Sequence, residues 1–243
     1  MSLEQNLCEV KERLAAAARR AGRAPGDITL LAVSKTHPPE LIAAAASLGQ
    51  VDFGENYMQE ALNKQDILAD MPQCRAVRWH FIGHLQSNKA RQAAGRFSLI
   101  HTLDSLKLAQ GLHNKLQQTA EQQNADPLPL KNLTQEVLIQ VNIGQEAQKS
   151  GVAEQELEPL AEGLMGLSRI RLKGLMCIPP FNLEPGQTRA CFARLRQLLE
   201  ILNKNFGQNR FNILSMGMSQ DFEIAIEEGA TLVRVGTDIF GAR

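Results

Sequence analysis

The sequence carries no excess of charge of either sign and no long apolar run. It has 26 Lys plus Arg and 26 Asp plus Glu among 243 residues, so its formal net charge is zero. Proteins that bind nucleic acids or anionic membrane surfaces usually have a basic excess, and we therefore expect neither partner. No apolar run approaches the roughly 18 residues that predict a transmembrane helix.

Cysteine is scarce, and its spacing suggests neither a disulfide framework nor a zinc site. The four cysteines are far apart and form no CxxC pair: Cys8, Cys74, Cys177 and Cys191. Reduced thiols in a reducing compartment are the simplest interpretation. The first 23 residues place acidic side chains between apolar ones at helical spacing, which is not typical of a signal or transit peptide. We therefore expect a cytoplasmic protein with an amphipathic N-terminal helix.

Short β-rich runs alternate with longer helical segments along the chain. The runs predict eight strands, at Leu30–Ser34, Val51–Gly54, Val77–Ile82, Leu99–Thr102, Val137–Asn142, Ile170–Met176, Asn212–Met216 and Leu232–Gly236. Helices are predicted between them, at Pro39–Leu48, Asn56–Ala69, Gln86–Ala94, Ser105–Gln123, Glu154–Leu167, Thr188–Phe206 and Gln220–Glu228.

This alternation predicts an α/β fold. Eight strands separated by helices imply parallel βαβ units, and a single (β/α)8 barrel of TIM type is their simplest arrangement. A doubly wound open sheet is the alternative. The only linker-like stretch, Asn124–Pro129, is short, and neither side of it holds a complete fold. A single domain over residues 1–243 is therefore predicted.

A lysine, Lys35, closes the first apolar run shortly before the Pro38-Pro39 pair. Proline disfavours helix at the residue before it, so the run is interpreted as extended. Side chains alternate along a strand, which places Lys35 on the same face as Leu31 and Val33. A desolvated lysine has a lowered pKa and is nucleophilic toward carbonyl carbon. The alternative is a strand-end lysine that reaches solvent.

The last two predicted strands end in small and polar residues. Alternation places Arg234 and Gly236 on one face, and a buried guanidinium must be paired because it cannot lose its charge. Thr237 adds an N–H and a hydroxyl, and the turn Ser215–Ser219 leads into a predicted helix, where backbone N–H groups attract anions. The loops after strands seven and eight are the recurrent phosphate site of this barrel. Each turn alone is typical of an ordinary strand-to-helix connection, which is the alternative, and it is their joint position that favours a phosphate site.

The lysine, the phosphate site and the arginine together suit pyridoxal 5′-phosphate. Lys35 would hold this cofactor as an aldimine, and Arg234 would face the pyridine nitrogen. A cationic partner would keep that nitrogen unprotonated. The ring would then be a weaker electron sink than one that faces an Asp or Glu.

Several longer motifs occur in order along the chain: Leu31–Thr36, Phe53–Tyr57, Trp79–Gly83, Leu85–Lys89, Lys149–Gly151, Gly174–Met176, Ser215–Ser219 and Val233–Thr237. They resemble those of the pyridoxal phosphate homeostasis proteins (the YggS/PROSC family), and the likeness covers nearly the whole chain. The resemblance implies a barrel similar to the N-terminal domain of alanine racemase, with the Schiff-base lysine at Lys35. It supports Arg234 as the contact of the ring nitrogen and implies an accessory contact at Lys149.

We assign seven residues to the cofactor site: Lys35, Asn56, Met216, Ser219, Arg234, Gly236 and Thr237. The alternative role for Asn56 is a purely structural one, as the N-cap of the second helix. A capping residue at this mouth can also reach a ligand, so Asn56 stays in the predicted site. His80 and His84 flank the end of the third strand with no third ligand nearby in sequence, so no metal site is expected.

Two classes of function remain open. A binding protein would take part in vitamin B6 homeostasis by buffering pyridoxal phosphate or delivering it to apo-enzymes. An amino-acid racemase or another fold-type III enzyme is the alternative, but such a racemase needs a tyrosine from a second, all-β domain. This chain has a single tyrosine, Tyr57, and ends at Arg243, right after the eighth strand. A Schiff-base aldolase would need no phosphate site. We therefore expect a monomeric binding protein without catalytic residues.

Overall fold

Eight parallel strands close into a barrel. The structure, a computed structural model, describes residues 2–122, 133–146 and 150–241. Each strand pairs with the next along the chain, and the eighth pairs with the first. The strands are β1 Thr29–Val33, β2 Asp52–Glu55, β3 Arg78–Phe81, β4 Leu99–Leu103, β5 Gln135–Gln140, β6 Ile170–Met176, β7 Ile213–Ser215 and β8 Leu232–Val235. The predicted closed barrel is confirmed, and the open-sheet alternative is wrong.

Helices connect the strands and surround the barrel. They are α1 Leu3–Arg20, α2 Pro39–Ser47, α3 Met58–Leu68, α4 Ala90–Ala93, α5 Leu106–Gln122, α6 Glu154–Met165, α7 Pro185–Phe206, α8 Phe222–Glu227 and α9 Thr237–Phe240. The predicted N-terminal helix is present as α1. Its N-cap Ser2 accepts a hydrogen bond from the backbone N–H of Gln5, whose side chain accepts one from Ser2 in return, a capping box that satisfies two otherwise unpaired donors. None of the described helices is long and apolar enough to cross a bilayer.

The predicted elements differ from the observed ones mainly at their ends. The helix predicted over residues 86–94 is a 3₁₀ turn, Ser87–Lys89, followed by the single turn of α4. Gly95, with φ at 75°, ends it, because glycine adopts this conformation without a Cβ clash. Helix α7 begins three residues earlier than predicted, at Pro185, which suits the first turn of a helix. Residues 124–129 lie outside the described residues.

Apolar side chains fill the barrel interior in one small cluster, made of Leu31, Leu99, Leu138, Met176 and Leu232. These residues come from β1, β4, β5, β6 and β8, and strands that are not neighbours contact one another only across the interior. A second, larger cluster lies between the barrel and the helices. The alternation of side chains along each strand separates the two layers. Buried polar side chains, among them His80, His101, Ser215 and Arg234, share the interior with this inner cluster.

Candidate functional site

A cavity of about 590 Å³ opens at the carboxyl ends of the strands. Six of the seven predicted site residues line it: Lys35, Asn56, Ser219, Arg234, Gly236 and Thr237. Arg234 lies in β8, and the others follow the ends of β1, β2, β7 and β8. The loop after β6, residues 178–183, forms a mostly apolar wall of the cavity. The carboxyl ends of parallel strands meet at one mouth of a barrel, which is why residues distant in sequence share this cavity.

Met216 is the predicted site residue that does not line the cavity. Its side chain is fully buried in the layer between barrel and helices. The physical reason is alternation: Ser215 points into the barrel, where it contacts Arg234, so the next side chain points outward. Met218, two residues further on, lines the cavity instead.

The turn that carries Lys35 is anchored on both sides. Ser34 is fully buried, and its hydroxyl donates to Glu55 Oε1 at 2.7 Å. The backbone N–H of Thr36 donates to Glu60 Oε1 at 2.6 Å, and Thr36 has a φ of 66°. A threonine with positive φ is uncommon and persists only where surrounding contacts hold it. The two neighbours of Lys35 are therefore fixed, while the Lys35 side chain is half-buried and lines the cavity.

A buried lysine beneath this turn supplies the anchoring charge. Lys64 is 3% exposed. Its ammonium donates to the Ser34 carbonyl at 2.8 Å, to Glu55 Oε1 at 2.8 Å and to Glu60 Oε1 at 2.6 Å. Burial raises the pKa of Glu55, and the hydrogen bonds from Lys64 and Ser34 act in the opposite direction. This network was not predicted from the sequence, although the Glu60–Lys64 spacing of four residues within α3 is a signal for one of its ion pairs.

Arg234 lies in the floor of the cavity and is 4% exposed. One terminal nitrogen donates to Ser215 Oγ at 2.8 Å, and the other donates to the Cys177 carbonyl at 2.9 Å. Burial lowers the pKa of Arg234, but a guanidinium remains charged inside proteins. Burial also raises the pKa of the neighbouring Cys177 thiol to about 12, so this thiol stays protonated near neutral pH.

Asn56 offers the cavity an acceptor with no other use. Its Oδ1 is buried and has no hydrogen-bond partner. Helix α3 begins at Met58 with Tyr57 as its N-cap, so the interpretation of Asn56 as the cap is wrong. A Cβ added at Gly83 would lie 1.9 Å from the Asn56 carbonyl oxygen. Gly83 therefore permits the close approach of two loops that sets the position of Asn56.

Two turns close the cavity on the side of β7 and β8. Gly217 has a φ of 91°, and a Cβ there would lie 2.8 Å from the Phe222 Cα, so glycine lets the β7–α8 turn pack directly on α8. The Met218 N–H donates to Asp221 Oδ1 at 2.6 Å, and burial raises the pKa of Asp221. Ser219 and Thr237 add hydroxyl groups to the lining. Lys149 lies outside the described residues.

This arrangement combines an amine, a buried cation, an unpartnered amide oxygen and two hydroxyl-bearing turns around one cavity. The amine can attack a carbonyl carbon. The guanidinium and the hydroxyl groups are donors suited to an acceptor atom and to an anionic group. The apolar wall of residues 178–183 suits a ring. The cavity therefore fits a small anionic aromatic ligand that carries a carbonyl group.

The alanine racemase N-terminal domain family matches residues 5–243 of this chain. A protein of Pseudomonas aeruginosa named pyridoxal phosphate homeostasis protein is 48% identical over 242 residues, which cover 100% of this chain and 96% of the relative. The protein of the same name from Escherichia coli K12 is 42% identical and covers 99% of this chain, with 97% of its own length matched.

Solved structures agree with these relatives. PipY of Synechococcus elongatus, solved with PLP bound, matches with a TM-score of 0.82 and 34% identity, over 99% of this chain and 100% of that chain. Alanine racemase of Corynebacterium glutamicum matches with a TM-score of 0.68 and 18% identity, over 96% of this chain and 61% of that chain. The racemase likeness shows the shared barrel fold.

Proposed function

This chain belongs to the pyridoxal phosphate homeostasis protein family, and we propose that it binds pyridoxal 5′-phosphate through Lys35 and holds it for release to other proteins. The match extends over 96% or more of the relatives in Pseudomonas aeruginosa and Escherichia coli. The observation that carries the proposal is the cavity that brings the Lys35 amine, the Arg234 guanidinium and the Ser219 and Thr237 hydroxyls together.

The residues present fit this cofactor. The buried, unpartnered Oδ1 of Asn56 is an acceptor for a hydroxyl group at the edge of an aromatic ring. Ser219, Gly236 and Thr237 lie at the loops after β7 and β8, the recurrent phosphate position of this barrel. When bound, the cofactor supplies an aldehyde carbon that combines covalently with a lysine amine.

The residues of the site have distinct roles in this proposal. Lys35 provides the nucleophilic amine, and the contacts of Ser34 and Thr36 hold its backbone. Arg234 donates a hydrogen bond toward the ring nitrogen. Because a guanidinium does not release a proton to an acceptor at neutral pH, Arg234 leaves that nitrogen unprotonated. This favours retention of the cofactor over chemistry that requires the ring as an electron sink.

The same site argues for a carrier rather than a racemase. Tyr57, the single tyrosine of the chain, is 55% exposed and is not among the residues that line the cavity. Cys177 is held as a thiol by burial, so it does not serve as the base. We therefore propose a monomeric cytoplasmic protein that gives up its cofactor to apo-enzymes and performs no turnover of its own.

The cofactor assignment is tested by absorbance and peptide mapping. Pyridoxal phosphate added to the apo-protein should produce a visible absorption band, and borohydride should fix the cofactor on the peptide that contains Lys35. Lys35→Met should remove attachment at that position while the folded far-ultraviolet circular dichroism spectrum is kept. The matched control is Lys173→Met, which changes a half-exposed lysine away from the cavity and should leave the labelling unchanged. A wild-type protein that gains no band would contradict the assignment.

A second experiment separates carrier from enzyme. The loaded protein is mixed with an apo-enzyme that requires pyridoxal phosphate, with and without a trap for free cofactor. We expect recovery of enzyme activity in the mixture and no change of chirality when the loaded protein is incubated with single-enantiomer amino acids. Racemisation or decarboxylation at enzyme-like rates would overturn the carrier proposal.

A further inference from the structure

A chain of hydrogen bonds leads from Arg234 into the barrel interior and away from the cavity. Arg234 donates to Ser215 Oγ at 2.8 Å, and Ser215 Oγ lies 2.9 Å from His101 Nδ1. His101 Nε2 lies 3.0 Å from His80 Nδ1, and His80 Nε2 lies 3.0 Å from Asp52 Oδ1. All five side chains belong to residues that are at most 6% exposed.

This chain of contacts crosses the barrel. Ser215 ends β7 and His101 lies in β4, and these strands do not pair with each other. Their hydrogen bond therefore runs through the interior rather than along the sheet. From His101 the chain continues to neighbouring strands, through His80 in β3 to Asp52 at the start of β2. The cavity mouth and the opposite end of β2 are thus joined by one continuous set of buried polar contacts.

With neutral rings between them, the two ends decide the direction of every bond. Arg234 has donors only. At the other end, burial disfavours the charge on Asp52, but hydrogen bonds from His80 and Arg78 outweigh that effect and lower its pKa. Asp52 is therefore an ionised carboxylate that only accepts. When one end of a chain only donates and the other only accepts, every group between them is hydrogen-bonded if each donates one hydrogen bond toward the accepting end.

The histidines must then share one tautomer. The Ser215 hydroxyl donates to His101 Nδ1, His101 donates from Nε2 to His80 Nδ1, and His80 donates from Nε2 to Asp52. Both rings carry their proton on Nε2 and are neutral. Burial, the largest cause, and the nearby charge of Arg234 lower the pKa of His101 well below its usual value, in agreement with a neutral ring.

This chain of hydrogen bonds also accounts for the burial of a charged arginine. Both acceptors of the guanidinium are neutral groups, a hydroxyl and a carbonyl. A buried charge with neutral partners is stabilised when those partners are polarised toward it. The ordered hydroxyl of Ser215 directs its oxygen lone pairs at Arg234 because its hydrogen is committed to His101. The position of the guanidinium thus depends on residues on the far side of the barrel.

We propose that Ser215, His101 and His80 are positioning residues, which form a hydrogen-bond relay of fixed direction from Arg234 to Asp52 and hold the guanidinium toward the ligand in the cavity. The identity of that ligand rests on the proposed function, whereas the relay is a property of the ligand-free chain. The two are therefore tested separately.

Histidine tautomers in the ligand-free protein test the relay. Two-bond ¹H–¹⁵N spectra of histidine-labelled protein should show His80 and His101 as neutral rings protonated on Nε2. Asp52→Asn supplies a donor in place of the acceptor, so both rings should move to the Nδ1-protonated form. The control is Lys173→Met, which changes a half-exposed lysine paired with Glu136 and should leave both tautomers as they are. Charged rings, or Nδ1 protonation in the wild type, would overturn the relay even if Asp52→Asn does not fold.

The effect on the site is read from the bound cofactor. Ser215→Ala removes one hydrogen bond to Arg234 and should weaken cofactor affinity about tenfold, the loss expected for a charge-assisted bond. It should also shift the absorption band, since the guanidinium facing the ring nitrogen moves. Lower stability with an unshifted band and unchanged affinity would reduce the relay to a structural role and contradict the proposal. A wild type with the expected tautomers and no cofactor band would refute the proposed function and leave the relay intact.

Discussion

Lys64→Met removes the buried ammonium that holds the turn around Lys35. Three oxygens accept from this ammonium, at 2.6 to 2.8 Å. The substitution conserves most of the side-chain volume, so the main loss is electrostatic. It leaves the carboxylate of Glu55, which is fully buried, without its cation.

The expected loss of unfolding free energy follows from the burial of the ion pair. Removing one partner of a buried ion pair costs about 3–5 kcal/mol, because the other charge stays buried without compensation. For a chain of this size each kcal/mol lowers Tm by roughly 2–4 °C, so we expect a decrease of roughly 6–20 °C. The turn that carries Lys35 should loosen as well, and attachment of pyridoxal phosphate should become slower.

The assay is thermal and urea unfolding of the ligand-free variants, followed by circular dichroism. Lys173→Met is the matched control, because Lys173 Nζ lies 3.5 Å from Glu136 in a half-exposed pair, which is worth at most about 1 kcal/mol. The double variant Lys64→Met/Glu55→Gln removes the orphaned charge and should recover part of the loss. If Lys64→Met lowers the unfolding free energy no more than Lys173→Met does, the buried network does not stabilise this turn.

Two further predictions concern the interior and the cavity. The pKa of His101 is lowered in the folded protein, so its contribution to the unfolding free energy is complete above about pH 6.5 and is lost as the pH falls, by up to about 1.4 kcal/mol per pH unit. In urea unfolding between about pH 7 and 5, the unfolding free energy of His101→Gln should therefore fall less steeply with pH than that of the wild type. Equal slopes would contradict a neutral buried ring. Gly83→Ala places a Cβ 1.9 Å from the Asn56 carbonyl oxygen; it should lower the unfolding free energy by about 1–3 kcal/mol and weaken cofactor binding in a titration. The control is Gly26→Ala, with no atom within 4 Å of the new Cβ, which should change neither quantity.

Most of the fold was predictable because its signals are local. Most strands are short runs rich in apolar or aromatic residues and bounded by turn residues, and segments with helical spacing separate them. The sixth strand, Ile170–Met176, was predicted with the bounds that it has. Other strands differ by a residue or more at one end or both, as for β1, predicted at Leu30–Ser34 and observed at Thr29–Val33, because strand ends depend on pairing with neighbours.

Six of the seven predicted site residues meet at the cavity for a topological reason. Parallel strands in a closed barrel present their carboxyl ends at one mouth, so any polar residue that follows a strand end lies near the others. Lys35 and Arg234 could therefore be placed together without knowledge of their contacts. The Met216 side chain does not line the cavity, because alternation beyond the end of β7 turns it outward.

The sequence by itself determined the order of elements and the parallel strand connections, and it predicted a closed barrel with the candidate site at one mouth, because these depend on local patterns and on the rules of parallel strand connection. The tertiary structure alone decided which interior side chains meet. Ser215 and His101 are 114 residues apart and lie in strands that do not pair, and no periodicity relates them. Their contact arises only when the barrel closes and two inward-facing side chains reach each other across its interior.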